Sequence, residues 1–211
     1  MNVLTPQTPE AWNAYVRSFA GWDIYYLCEY AVSLELHGDG EPLLLCFEHG
    51  AERMCYVVMR NDIADDPRFH GLLPAGRLFD LETPYGYGGP LTDAPLSPEA
   101  QQIFMEELRD YCLEQRIVTQ FLRYHPLLDN HGAVAPMTDT RYLRDTIYMD
   151  TASPELILAN MDSKNRNMVR KAQRSGVTVR EAPMSEYAPF LELYRQTMDK
   201  HSAEEYYTFG T

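Results

Sequence analysis

Apolar residues recur at helical spacing in three stretches of the chain, and each stretch opens with a typical helix start. The starts are Thr8-Pro9-Glu10, Ser97-Pro98-Glu99 and Ser153-Pro154-Glu155, each a capping residue followed by a proline and an acid. The first helix is predicted to run to about Phe19 and the second to about Gln115. A last helix is predicted over residues 185–200.

Continuous apolar runs and alternating stretches predict the strands of a sheet. The runs at 42–48 and 53–60 flank His49-Gly50-Ala51-Glu52 and predict a β-hairpin. Further strands are predicted at 77–81, 117–124, 144–150 and 177–181. Residues 23–35 fit either a buried strand or a short helix, since their periodicity does not decide between the two. This order of elements predicts an α/β (α+β) fold, in which helices cover both faces of a mixed sheet.

The net charge of −13 is unevenly distributed along the chain. Residues 1–162 hold 10 arginines, no lysine and 25 acids, whereas residues 163–211 hold 8 basic and 6 acidic residues. The acidic bulk argues against broad nucleic-acid binding, which requires a basic face. We therefore expect any anionic partner to be bound locally, after residue 162.

The helix that starts at Ser153-Pro154-Glu155 combines an apolar stripe with a cluster of positive charges. The expected buried stripe consists of Ile157, Leu158, Met161, Met168, Val169 and Ala172. The positive charges are Lys164, Arg166, Arg170, Lys171 and Arg174, and no acid occurs between Ser163 and Arg180. Gly176 is expected to end the helix in the left-handed conformation. The basic residues either form a solvated face or contact phosphates of a tRNA, a nucleotide or a lipid-linked substrate.

The four cysteines, Cys28, Cys46, Cys55 and Cys112, are scattered and form no Cys-x-x-Cys pair. Each lies in a predicted strand or helix, which indicates buried thiols in a reducing cytoplasm rather than disulfides or a zinc site. No apolar run is long enough to span a bilayer, and the N-terminus lacks the pattern of a signal peptide. A cytoplasmic protein without a transmembrane segment is expected.

The most unusual stretch is residues 83–91, which we call the glycine loop. It contains three glycines and two prolines between a predicted strand and a predicted helix. Loops in this position bind phosphates, nucleotides or carboxylates in many α/β proteins. The amides of Gly86, Gly88 and Gly89 could donate to an anion, while Tyr85 and Tyr87 could stack on a sugar or a nucleobase. The alternative is a wide turn whose tyrosines only pack.

Arg123 ends the strand expected beside the glycine loop. Its guanidinium could pair bidentately with a phosphate or carboxylate, or it could form a salt bridge with a nearby acid. No nucleophile, base or metal cluster stands out, and no catalytic residue is assigned. His125, Asp129 and His131 favour a capped loop over a metal site. Acyl transfer to an amine is compatible with this, because it depends mainly on positioning and on a polarised carbonyl.

Two segments carry a resemblance to a known family. The first is Thr83-Pro84-Tyr85-Gly86-Tyr87-Gly88-Gly89-Pro90, followed one helix later by Phe121-Leu122-Arg123-Tyr124-His125-Pro126-Leu127-Leu128-Asp129-Asn130. This looks like the first domain of Fem-like proteins. Residues 161–177 resemble the Lys-x-Arg…Arg-Lys-Ala…Gly-Val segment that opens their second domain. The same signature occurs in Fem peptidyltransferases and in less characterised GNAT-like acyltransferases, although the usual GNAT phosphate motif is missing here.

The resemblance implies two GNAT-like domains, with residues 1–143 as the first and 144–211 as the start of the second. A complete second domain needs about 100–150 residues, so we expect a truncated one. Such an incomplete domain leaves apolar edges exposed, and self-association is therefore expected as well.

The function that the resemblance implies is N-acyl transfer. An aminoacyl or acyl group would pass from aminoacyl-tRNA or acyl-CoA to an amine of a cell-envelope (peptidoglycan) precursor, with no permanently bound cofactor. The basic helix would contact the tRNA. The alternatives are a non-catalytic substrate-binding fragment and an acyl-CoA-dependent N-acetyltransferase for small molecules.

Overall fold

The computed structural model describes residues 1–135 and 138–207. The chain divides into two compact units, Met1–Leu143 and Arg144–Thr211. The first unit contains a six-stranded mixed sheet. The described residues of the second unit form helices and no strand.

The first unit is built from six strands and three helices. The strands are β1 (Asn2–Leu4), β2 (Glu41–His49), β3 (Glu52–Asp62), β4 (Phe79–Glu82), β5 (Leu91–Thr92) and β6 (Ile117–Phe121); the helices are α1 (Pro9–Arg17), α2 (Cys28–His37) and α3 (Pro98–Gln115). The sheet order is β1-β2-β3-β4-β6. β4 pairs with the C-terminal end of β3, and β5 pairs with β3 nearer its N-terminal end. All pairs are antiparallel except β4 with β6, which α3 connects as a crossover.

Helices cover both faces of this sheet, which confirms the predicted α/β fold class. Along β2 the buried residues alternate: Leu43, Leu45 and Phe47 face α3, whereas the intervening Leu44 and Cys46 face α1 and α2. Because β2 and β3 are buried on both faces, they form continuous apolar runs in the sequence rather than alternating ones.

The ambiguous stretch 23–35 is helical. A 3-10 turn at Ile24–Tyr26 leads into α2. The side chain of Asn13 on α1 fixes the start of α2, since its Oδ1 accepts from the amide of Cys28 at 3.0 Å and its Nδ2 donates to the Glu29 carboxylate at 2.9 Å. A cap supplied by another helix leaves no local pattern, which explains why periodicity did not decide between helix and strand.

The second unit contains α4 (Pro154–Asn160), α5 (Ser163–Arg174) and α6 (Tyr187–Lys200). The single helix predicted after Ser153 is therefore two helices. Asp162 separates them, because its side chain accepts from the amide of Asn165 at 2.8 Å and caps α5. Gly176 ends α5 with φ of +76°, as predicted.

Two strand predictions and part of one helix-face prediction are wrong. Residues 144–150 and 177–181 have no regular secondary structure and are exposed. They have strand-like composition, but a strand also needs a hydrogen-bonded neighbour. In the predicted buried stripe, Leu158 and Met168 are exposed, and the other four residues are only half-buried. None of the described helices combines the length and apolar character needed to cross a membrane.

Candidate functional site

The glycine loop is attached to the segment that follows β6. Thr83 accepts from the amide of Arg123 through Oγ1 at 2.8 Å, and its own amide donates to the carbonyl of Phe121 at 3.0 Å. Further along, the amide of Gly88 donates to the carbonyl of Arg123 at 3.0 Å. The loop thus extends the parallel pairing of β4 and β6 by one more bridge, between Gly88 and Tyr124.

Each of the three loop glycines is required by its surroundings. Gly86 and Gly89 have φ of +100° and +81°, which side chains rarely adopt. A Cβ on Gly86 would lie 2.5 Å from the ring of Tyr25, and one on Gly89 would lie 2.9 Å from the ring of Tyr124. A Cβ on Gly88 would lie 2.6 Å from the methyl group of Thr83. Wide-turn geometry therefore accounts for all three glycines.

The predicted anion site is reduced to one of its three amides. The amide of Gly88 is already bonded to Arg123, so it is not available to a ligand. In the described ranges no protein acceptor lies on the amides of Gly86 and Gly89, but Gly89 is buried. Gly86 is half-buried, and the predicted role of its amide as a donor to an anion stays a prediction.

At the N-terminus of α3, a carboxylate of the chain itself bonds the capping residue. Ser97, which caps α3, donates from its hydroxyl to Glu52 at 2.8 Å and also from its amide. These two hydrogen bonds lower the pKa of the Glu52 carboxyl. The amide and hydroxyl of Ser97 are thus bonded within the protein, while the predicted anion binding by the loop stays a prediction.

Asn130 holds the glycine loop from beneath, and sequence reasoning did not identify it as a functional residue. Its buried amide nitrogen donates to the carbonyls of Gly88 at 2.8 Å and Pro90 at 3.1 Å. Its oxygen accepts from the amide of His125 at 3.1 Å. In the sequence, Asp129-Asn130 has only the composition of a turn.

A cluster of aromatic rings borders the loop. The ring of Tyr25 lies edge-to-face against Tyr30, Tyr87 and His125, with centroids 5.3, 5.9 and 6.3 Å away. Tyr30 donates from its hydroxyl to the carbonyl of Tyr85 at 2.8 Å. Tyr87 is therefore packed within the cluster, while 48% of Tyr85 is exposed. Of the two predicted stacking residues, Tyr85 has the more accessible ring.

His125 belongs to this cluster and is paired with Asp23. Its Nδ1 accepts from the amide of Leu127 at 3.2 Å, so Nε2 carries the proton and donates to Asp23 Oδ2 at 2.7 Å. His131 pairs with Asp129 at 2.9 Å. The described residues contain no cluster of three His, Cys, Asp or Glu side chains that would suit a metal ion.

Next to the loop, one part of the sheet surface lies open, and we call it the open patch. It consists of Asp80, Glu82, Thr119, Phe121 and Arg123. The register places Asp80 beside Thr119 and Glu82 beside Phe121, which is 53% exposed. The guanidinium of Arg123 lies 5.9 Å from the centre of the Phe121 ring.

Arg123 forms no ion pair with any residue in the described part of the chain, so the salt-bridge alternative is wrong for this structure. Its backbone holds the loop, and its charged end is exposed. The predicted pairing with a phosphate or carboxylate remains a prediction that this geometry permits.

The two acids of the open patch have raised pKa values. Partial burial raises the pKa of Asp80, whose Oδ1 is buried without a hydrogen-bond partner among the described residues. Glu82 is exposed as a residue, but desolvation of its partly buried carboxyl group raises its pKa, and the charge of Asp80 adds to the shift. Asn61 donates to Glu82 at 3.3 Å. This arrangement is suited to bind a cation or to accept a proton.

In the second unit, α5 carries the basic residues, and they do not all have the same role. The guanidinium of Arg166 donates to the carbonyls of Leu158 and Met161 and to the hydroxyl of Ser163. It closes the C-terminal end of α4, and the predicted contact of Arg166 with a phosphate stays a prediction. Lys164 and Arg170 are exposed on α5, as are Lys171 and Arg174, so their charges are accessible for the predicted phosphate contact.

Comparison with known proteins supports the resemblance. Residues 129–208 match the model of the FemAB family. No curated protein and no solved structure matches the chain at a significant level. The matched segment begins just before Asn130 and includes the whole of α5. This match supports a Fem-like assignment for residues 129–208, which include the motif predicted at residues 161–177.

Proposed function

We propose that this chain takes part in N-acyl transfer to an amine of a cell-envelope precursor. The match of residues 129–208 to the FemAB family is the observation that carries the proposal. At family level it supports a peptidoglycan-related aminoacyltransferase. The acceptor and the donor, aminoacyl-tRNA or acyl-CoA, are part of the proposal.

The chemistry requires few specialised side chains. The amine nitrogen attacks the carbonyl carbon of the donor, the bond to the ribose oxygen or the CoA sulfur breaks, and an amide forms with loss of one proton. Positioning and charge stabilisation supply most of the rate in such a reaction. Two regions of the chain supply suitable groups: the surface around the glycine loop, and the exposed cations of α5.

The basic helix supports an anionic donor. Between Ser163 and Arg180 the chain has five cations and no acid, and four of the five are exposed. Cations that neutralise phosphates give binding that weakens as salt rises. We therefore propose that Lys164 and Arg170 contact the phosphates of the donor.

A transfer assay tests the proposal. Purified chain is incubated with labelled aminoacyl-tRNA or acetyl-CoA and a UDP-linked cell-wall peptide, and mass spectrometry detects the new amide. Lys164→Ala with Arg170→Ala is expected to lower donor binding by about tenfold at low salt, whereas the matched control Lys200→Ala on α6 leaves it unchanged.

The outcomes separate the candidate functions. Product formed from aminoacyl-tRNA supports the Fem-like reaction, and product formed only from acetyl-CoA supports an N-acetyltransferase. Thermal stabilisation by the peptide without product supports a substrate-binding fragment. Neither product nor stabilisation with any donor or acceptor contradicts the proposal. Self-association, expected from the sequence, is checked in the same preparation by light scattering.

A further inference from the structure

The open patch has a combination of groups that the glycine loop does not explain. Helix α2 packs on β2 and β3 through residues such as Ala31, which is fully buried. On β4 and β6, in contrast, Glu82, Thr119 and Phe121 are exposed on the same side of the sheet. The patch is therefore an uncovered continuation of a face that is elsewhere part of the core.

The patch holds opposite charges that do not neutralise each other. Arg123 is close enough to affect the charge of Glu82, and it partly counteracts the rise in the pKa of that carboxyl. Yet in the described chain no nitrogen of Arg123 lies within 4 Å of a carboxylate oxygen. The guanidinium of Arg123 lies instead over the ring of Phe121, 5.9 Å from its centre. The patch thus presents a carboxylate and a guanidinium that do not pair with each other, and a ligand that carries both complementary charges would suit them.

A second observation concerns the carboxyl group of Asp80, which interacts with the side chain of Asn61. Its buried Oδ1 has no hydrogen-bond partner among the described residues. Leaving a buried carboxylate oxygen unsatisfied costs stability, and such costs are commonly found at binding sites. A bound ammonium group, which has three donors, would satisfy Asp80 and Glu82 together.

The remaining surface of the patch is aromatic. Phe121 lies directly beside Glu82 in the register of β4 and β6, and more than half of the residue is exposed. An aromatic face attracts ammonium groups and also packs against apolar side chains. Beside the charges it provides a surface for the side chain of a ligand.

We propose that the open patch binds the zwitterionic end of an amino acid or a short peptide. Glu82 and Asp80 hold the ammonium group, Arg123 holds the carboxylate, and Phe121 contacts the side chain. The inference rests on the proposed function for the fate of this ligand, because the bound amine is then the acyl acceptor. The binding itself does not depend on acyl transfer.

Three dipeptide probes test the binding. They are glycyl-phenylalanine, its N-acetyl derivative and its C-terminal amide, and calorimetry measures their affinities for the full chain. We expect the free dipeptide to bind and each blocked form to bind about tenfold more weakly, since each loses one charge-assisted contact.

Variants assign each contact to its residue. Glu82→Gln is expected to weaken the free dipeptide but to have little effect on the N-acetyl form, which has no ammonium group. Arg123→Gln is expected to weaken binding of the free dipeptide but to have little effect on the C-terminal amide, which has no carboxylate. The matched controls Glu99→Gln and Arg109→Gln change exposed charges of α3 on the other side of the sheet and are expected to leave all affinities unchanged.

Several results would overturn this inference: no binding of the free dipeptide, equal binding of all three probes, or affinities that neither variant alters. All altered residues are exposed, and melting curves show whether the variants are folded. Dipeptide binding without any acyl transfer would support binding by the open patch and contradict the proposed function. Acyl transfer that does not depend on Glu82 or Arg123 would support the proposed function and contradict the role of the patch in binding the acceptor.

Discussion

At the scale of single residues, Asn130 is the side chain on which the glycine loop most depends. Its nitrogen donates to the carbonyls of Gly88 and Pro90, and its oxygen accepts from the amide of His125. The hydroxyl of Tyr26 lies 3.3 Å from the same nitrogen and is a third acceptor for its two hydrogens. Such a network is stable only while every member has its partner.

Asn130→Asp is therefore expected to destabilise the first unit strongly without changing the size of the side chain. The carboxylate has no hydrogens to donate and would face two carbonyl oxygens in a buried place. We expect a loss of about 3 kcal/mol in the free energy of unfolding, measured by urea denaturation. Asn167→Asp on the exposed face of α5 is the matched control and is expected to change stability by less than about 0.5 kcal/mol. Similar unfolding curves for the two variants would show that the loop does not need this amide.

At the scale of elements, the glycine loop differs from an ordinary turn by its contact with Tyr25. Gly50, in the turn between β2 and β3, has φ of +60° and open space where a Cβ would stand. Gly86 has φ of +100° and the Tyr25 ring within 2.5 Å of that position. The two glycines thus share a left-handed backbone, but only one of them is crowded.

Substituting alanine at both positions separates backbone strain from crowding. Gly50→Ala is expected to cost about 1 kcal/mol, the usual penalty for a side chain in the left-handed region. Gly86→Ala is expected to cost at least about 1 kcal/mol more, because the Tyr25 ring must also move. Urea denaturation measures both losses, and tyrosine fluorescence reports the movement. Equal losses would mean that Tyr25 adapts freely and that the loop is only a turn.

The secondary structure was predictable from the sequence where it is local. The starts of α1 and α3 and the hairpin of β2 and β3 are set by neighbouring residues, and all were predicted. The strand predicted at 144–150 failed because composition cannot show whether a partner strand is present.

The candidate site was predictable only in part, because many of its contacts are long-range. The glycine loop stands out by composition alone. Asn130, however, reaches a carbonyl 42 residues away, and His125 pairs with Asp23 across 102 residues. Arg166 was predicted only as one member of a basic cluster, and the sequence did not show that its guanidinium closes α4. No periodicity distinguishes such residues from ordinary turn or surface positions.

At the scale of the whole molecule, the open patch adds a partly buried acid to a protein that already carries a net charge of −13. Asp80 has an ordinary pKa of 3.8, which partial burial raises in the folded state. Ionisation of this carboxyl therefore favours the unfolded chain. The destabilisation is complete above the folded-state pKa, decreases as pH falls through that value, and disappears below about pH 3.8.

Asp80→Asn is accordingly expected to raise the melting temperature at pH 7 by about 1–3 °C and to lose this advantage near pH 4. The variant keeps the shape of the side chain while removing the charge that burial and the neighbouring acids disfavour. Calorimetric scans at the two pH values measure the effect, with the exposed Asp110→Asn as the matched control. If Asp80→Asn also abolishes dipeptide binding, the same charge that destabilises the fold is the one that the ligand requires, as expected where stability is sacrificed for a binding site. A variant that is less stable at pH 7, or equally affected at both pH values, would mean that Asp80 is a structural residue and that its charge is already satisfied.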